Sequence, residues 1–439
     1  MSVNVLSLQR GLLYLTILFS FSGSLFLSWE IGAFHIFPFR IFLILQWLLF
    51  AGYIYFIREG HLQLSHIKVK VYLQYFAIWL GYAFVSIMWA ADQVAAVKNI
   101  IFLFTGISII FFLVYFFRNL NTLKWLYLLW LLIFVVLIPI GIWEVATGNH
   151  LATSTLLDEE RSWVMFAPTT VFTNQNDYAA FIALTIPMIL VWIRYYSKLY
   201  IRILGVLVLI GSLSLLIMTT SRSCYLAVFA GLAFWFIFLL QVKKKLITLV
   251  TVTAICILLL LAFSDWIQDT FSLVQTQISS LDSVVSATDD FSSNIVRKNL
   301  IKNTIYFTAQ SAGFGVGAGN AEYYMERYGI YPTGHITNVH NWWAEILANY
   351  GIFIFAGYVV LYISIFLNLW RAYKGINVQT EKMICEALLV GLISFFMASI
   401  SSSSIIAFPP QWIFFGFCLA FLNYLRNKEL PRAYPYHTF

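Results

Sequence analysis

Apolar residues in this chain run on for roughly 17–25 positions, give way to a brief polar interval, and run on again. A helix rises about 1.5 Å per residue and the hydrocarbon core of a bilayer is about 30 Å thick, so such a run suffices to cross it. The pattern predicts twelve spanning helices, at 11–29, 37–57, 71–91, 97–117, 125–146, 178–194, 201–220, 223–241, 246–264, 343–369, 383–400 and 408–425. An all-α polytopic membrane protein follows. One interval breaks the rhythm: Asp265–Asn341 is far longer than the rest and strongly polar. The chain therefore divides into residues 1–264 with spans one to nine, a large loop at 265–342, and residues 343–439 with the last three spans and a tail.

Composition supports this pattern. Of the 439 residues, 61% are hydrophobic and only 10% charged, more apolar surface than a soluble fold of this size can bury. With the N-terminus inside, most of the 26 Lys and Arg residues fall in cytoplasmic segments, among them Lys68, Lys70, Lys243, Lys244, Lys245 and Arg371. Both termini are then cytoplasmic and the large loop extracytoplasmic. The net charge of +7 reflects this sorting, so no nucleic-acid partner is expected. Cys224, Cys256, Cys385 and Cys418 lie in or beside apolar runs and read as small core residues, with no disulfide or metal spacing.

The large loop has three parts. Through Phe291 it is rich in Ser, Thr, Gln and Asp and reads as an irregular or partly helical lid. Over Asn294–Ala309, Val296, Leu300, Thr304 and Phe307 recur at helical spacing, opposite Arg297, Lys298, Lys302 and Asn303. This predicts an interfacial helix with its cations toward lipid phosphates. Gly313–Asn320 carries four glycines but fits neither phosphate-loop spacing, so it reads as a structural turn that shapes a cleft. A shorter loop, Thr147–Thr170, holds the acidic turn Asp158-Glu159-Glu160-Arg161. It leads into Thr173-Asn174-Gln175-Asn176-Asp177, whose amides suit either a helix cap or a sugar.

Candidate chemistry gathers where polar groups meet span ends. Arg222 sits in Thr219-Thr220-Ser221-Arg222-Ser223, a tight turn at an outward-facing end where positive charge is disfavoured. Its planar donors suit a diphosphate. Arg40 is a weaker candidate, compatible with snorkelling or a pair with Glu30. His340 begins His340-Asn341-Trp342-Trp343-Ala344-Glu345, and an imidazole of ordinary pKa roughly 6.5 takes a proton near neutrality. Asn341 can cap the tenth span, and Glu345 can orient that helix or the histidine. His335 is the nearest other metal-ligand type, no HExxH or Cys pair is present, and neither metal nor cofactor is expected.

At these residues the chain resembles the O-antigen ligase and polymerase superfamily of bacterial envelope glycosyltransferases. The resemblance covers roughly 165–365 and rests on Phe172-Thr173-Asn174-Gln175-Asn176-Asp177-Tyr178, Thr220-Ser221-Arg222-Ser223, Arg297 ahead of the glycine cluster, and His340-Asn341 followed by Gly351. It implies a GT-C-like membrane fold in the bacterial cytoplasmic membrane. It also implies metal-independent, inverting transfer from an undecaprenyl-diphosphate-linked glycan to a glycan or lipid acceptor. Arg222 and Arg297 would hold the donor diphosphate and His340 would act on the acceptor hydroxyl, with Asn341, Glu345 and Asn176 in support. A transporter or flippase for a lipid-linked glycan is the alternative. Against it, the sequence shows no internal repeat and no paired interrupted helices.

Overall fold

The computed structural model describes residues 2–21, 25, 29–31, 34–57, 64–157, 164–240, 293–400 and 405–433. The ninth expected span (246–264), the lid segment through Phe291 and the acidic turn Asp158–Arg161 lie outside the described residues. Every other expected span overlaps a helix. In order, these are α1 (Ser2–Ser20), α2 (Pro38–Ile57), α3 (Lys70–Ser86), α4 (Gln93–Phe116), α5 (Leu120–Thr147), α6 (Gln175–Tyr195), α7 (Leu199–Met218) and α8 (Arg222–Phe234), which runs on through a π-turn at Trp235–Leu239. After the gap come α9 (Ser293–Gln310), α10 (Ala321–Tyr328), α11 (Trp342–Gly375), α12 (Gln379–Ala398) and α13 (Pro409–Ala433). Among the described residues, seven helices are long and apolar enough to cross a membrane, which makes this a multi-pass membrane protein. Among the described residues, a short antiparallel hairpin, Trp29–Ile31 with Phe34–Ile36, departs from the all-helical reading just beyond the first helix.

Helix starts follow the local chemistry. Asp92, Asn119, Asn174 and Asn341 each accept a backbone N–H three residues on, at 2.9–3.1 Å, and so satisfy a donor that the first turn leaves unpaired. The core is built around α13, which is buried along most of its length between α4 and α11, with α12 also against it and α6 packed on α12. Lipid tails are as apolar as leucine, so helix association here rests on close packing and interhelical hydrogen bonds. Trp79, Trp342, Tyr358 and Trp412 interlock with ring centroids 5.7–6.4 Å apart, and Trp342 Nε1 donates to Tyr358 Oη at 3.0 Å. That cluster pins the start of α11. At the opposite end of the bundle, Glu386 on α12 is fully buried and pairs with Arg194 at the end of α6. Its carboxylate also accepts from Tyr195 Oη at 2.9 Å, Tyr373 Oη at 3.1 Å and Trp235 Nε1 at 2.5 Å.

Helix α9 forms where expected, but its polar residues divide differently. Val296, Leu300, Thr304 and Phe307 are buried against Val316, Met325, Val339 and Ala348. Lys298 and Lys302 are exposed, as an interfacial helix requires. Asn303 is wholly buried: its Oδ1 accepts the Ile330 and Tyr331 N–H groups at 3.1 and 2.9 Å, and its Nδ2 donates to Tyr331 O at 2.9 Å. A turn that needs three backbone partners draws the amide inward, and helical spacing alone does not reveal that demand.

Candidate functional site

Three turns converge at one end of the bundle, and each holds a non-glycine residue in the left-handed backbone region: Thr170 at φ 51°, Thr220 at 56° and His340 at 48°. Such conformations cost of order 1–3 kcal/mol each and persist where surrounding contacts enforce them. The contacts are visible. Glu144, fully buried at the end of α5, accepts the Thr169 and Thr170 N–H groups at 2.7 Å each. The His340 N–H donates to Asn338 Oδ1 at 2.9 Å, and two residues on the Trp342 N–H is held by Ser399 O at 3.0 Å. Strain at these turns fixes where α6, α8 and α11 begin.

The structure brings Arg222, Arg297 and His340 into one electrostatic neighbourhood. Burial, and then the adjacent Arg222 charge, push the Arg297 guanidinium below its ordinary range. Burial, and then Arg297, push the His340 imidazole below its ordinary 6.5. The histidine is therefore neutral at neutral pH and able to accept a proton. Its Nδ1 is buried without a hydrogen-bond partner. Arg222 and Arg297 are both half-buried, and among the described residues neither has a carboxylate at ion-pair distance. Two adjacent, half-buried cations without a carboxylate partner among the described residues have the chemistry to attract an anion. Arg297 thus turns inward, which corrects the expectation that it faces lipid.

The supporting residues are placed as follows. Asn341 caps α11, accepting the Ala344 N–H at 3.1 Å. Asn174, rather than Asn176, caps α6: it accepts the Asp177 N–H at 3.0 Å and donates to Asp177 Oδ2 at 2.8 Å. Asn176 lies half-buried in the first turn with no side-chain hydrogen bond among the described residues. Glu345 makes no hydrogen bond to His340 and turns instead into a separate cleft. Arg40 stacks over Phe37 and Phe102 at 4.8 and 5.7 Å, beside a different pocket.

The glycine cluster repairs a break. Helix α11 is interrupted at Gly351, whose φ of 76° and ψ of −175° belong to glycine alone. The interruption frees the carbonyls of Ala348 and Asn349, and the loop supplies Val316 N–H at 2.8 Å and Gly317 N–H at 3.1 Å. In return Ile352 N–H donates to Gly313 O at 2.9 Å. The two backbones touch so closely that a Cβ on Gly351 would stand 2.1 Å from Gly313 O. Sequence reading located the cluster and its turn-forming role; the partner at Gly351 is a long-range fact.

An almost wholly apolar groove of about 550 Å³ runs between α8, the helix that Arg222 begins, α11 and α12, lined by Ala230, Trp343, Phe355, Tyr362, Phe366 and Phe396. Trp343 opens it three positions after His340. The site thus joins a pair of cations, a neutral imidazole and an apolar channel. Sequence reasoning missed Asn338, which positions His340; the short span between the glycine cluster and His340 was its only signal.

Comparison with known proteins places this geometry. Residues 206–359 match the O-antigen ligase family, a stretch that contains Arg222, Arg297, the glycine cluster and His340. The teichuronic acid biosynthesis protein TuaE of Bacillus subtilis (strain 168) is 33% identical over 431 residues, covering 97% of this chain and 86% of that protein.

Proposed function

The chain belongs to the O-antigen ligase and polymerase superfamily, and from that premise we propose that it transfers glycan from an undecaprenyl-diphosphate-linked donor to a hydroxyl acceptor. The transfer takes place on the outer side of the cytoplasmic membrane, in cell-surface polysaccharide biosynthesis. The observation that carries this reading is the pair Arg222 and Arg297, side by side and without a carboxylate partner among the described residues, next to a neutral His340.

In this mechanism the acceptor oxygen attacks the anomeric carbon from the face opposite the diphosphate, inverting its configuration. The bond from that carbon to the diphosphate oxygen breaks, and the acceptor proton passes to the His340 imidazole. Charge grows on the leaving oxygen as the bond opens. Arg222 and Arg297 meet it with fixed donors, the role a divalent cation plays elsewhere. The apolar groove beginning at Trp343 takes the first isoprene units of the donor lipid. Polymerase and ligase differ only in the acceptor that then enters. The break in α11 does not favour transport, because its freed carbonyls are capped by the loop and offer nothing to a permeant ion.

The test is reconstitution with an undecaprenyl-diphosphate oligosaccharide, with products separated by size. Arg222→Ala, Arg297→Ala and His340→Ala are each expected to lower transfer by about 10²–10³ while the protein remains in the membrane. Unchanged output from all three variants would refute the mechanism. Arg222→Lys keeps the charge but loses paired hydrogen bonding and is expected to recover only part of the rate.

A further inference from the structure

Beside the 338–340 turn lies a second cleft of about 170 Å³, lined by Asn338 and Val339 but by neither arginine. Lys98 and Asn99 of α4 form one wall, Glu322 of α10 the other, and Glu345 and Asn349 of α11 the floor. Phe102 and Ile406 add apolar surface. Its polar groups are oriented by bonds to the rest of the protein. Asn349 is only 2% exposed; its Oδ1 accepts the Ala321 N–H at 2.8 Å, and its Nδ2 has no acceptor among the described residues. Asn99, 8% exposed, likewise has its Oδ1 engaged by Tyr350 Oη and its Nδ2 without an acceptor. Glu322 receives Asn338 Nδ2 at 2.7 Å, whereas the Glu345 carboxylate has no hydrogen-bond partner among the described residues.

This inventory selects a ligand class. The amide oxygens are already used, so the amides present only N–H donors, which a metal cation cannot use. A phosphate or diphosphate brings acceptors only and would leave the Glu322 and Glu345 oxygens without a donor. A ligand that satisfies donors and acceptors together, and lays a C–H face on Phe102, is a sugar ring with neighbouring hydroxyls. We propose that this cleft is the acceptor subsite, with Glu345, Glu322, Asn99 and Asn349 binding the hydroxyls of the acceptor glycan beside the turn that carries His340. The assignment rests on the transferase reading for the word acceptor, but the binding itself does not. Asn338 ties the cleft to His340, since one amide holds both Glu322 and the His340 N–H.

The full-length protein in lipid nanodiscs is titrated with the lipid-free repeat-unit oligosaccharide of the host polysaccharide, without donor, and transfer from the lipid-linked form is measured in parallel. Wild type is expected to bind the free oligosaccharide, and Glu345→Gln and Glu322→Gln are each expected to weaken binding by up to about tenfold, the loss of one hydrogen bond. In transfer, the acceptor KM is expected to rise in both variants, while the donor KM stays within about twofold in Glu345→Gln. Inorganic pyrophosphate is expected not to compete with the free oligosaccharide. Absence of binding by wild type, unaltered binding by both variants, or displacement by pyrophosphate would each overturn the proposal. Glu322 is exposed, so its variant decides the matter if Glu345→Gln fails to fold. Oligosaccharide binding that depends on Glu345, in a protein that forms no glycosidic bond, would keep the cleft and discard the transferase reading.

Discussion

His340 ties backbone strain to proton chemistry. Its left-handed φ of 48° is held by Asn338 and by the anchored Trp342, and burial beside Arg297 keeps the imidazole neutral. Transfer that needs the neutral base should persist as pH falls and fail only below the lowered value. The acid limb of kcat/KM is therefore expected below 6.5, not at it. Arg297 supplies the smaller part of that depression and burial the larger. NMR titration of His340 in Arg297→Gln should accordingly show a modest rise toward 6.5, and an unmoved or falling value would contradict the arrangement. At this scale the sequence disclosed residue types and missed their company. Arg222 and His340 stand out because charge at a span end is rare. Asn338 and Glu322 look like ordinary loop and surface residues, since their roles depend on a contact across 16 positions.

Among the elements, the informative one is the interrupted helix α11. Its hydropathy is continuous across Gly351, so the sequence predicts one span, and the break becomes visible only with the glycine loop in place. Gly351→Ala puts a side chain into a conformation reserved for glycine and against Gly313 O. The expected result is a loss of at least about 1–3 kcal/mol of stability and impaired transfer, read by thermal unfolding in detergent and by product formation. Wild-type melting in that variant would show that the break is dispensable. Caps were more legible. An Asn ahead of an apolar run announces a helix start, and Asn341 and Asn174 behave accordingly. Choosing Asn174 over Asn176 requires only that the cap precede the first turn, a distinction lost in an amide-rich stretch.

For the whole molecule, apolar runs specify helices because a bilayer leaves the backbone no other way to satisfy itself. Each expected span that falls within the described residues overlaps a helix, and seven of the described helices are long and apolar enough to cross a bilayer. We expect both termini and Lys124 to face the cytoplasm and α10 to face outward. Cysteine substituted at exposed Tyr328 is expected to react with an impermeant maleimide in intact cells, and cysteine at Lys124 only after lysis; the reverse result would invert the topology. The labelling is done in a Cys256→Ser background, and Cys224, Cys385 and Cys418 should react little because they are buried. The Arg194–Glu386 pair gives this architecture an order in time. Its two halves are separated by 192 residues of synthesis, roughly 10–40 s at about 5–20 residues per second. Until α12 emerges, the arginine must wait near lipid headgroups without its carboxylate, and a nascent protein halted before that point carries an unmet charge that the membrane's quality-control proteases can recognise.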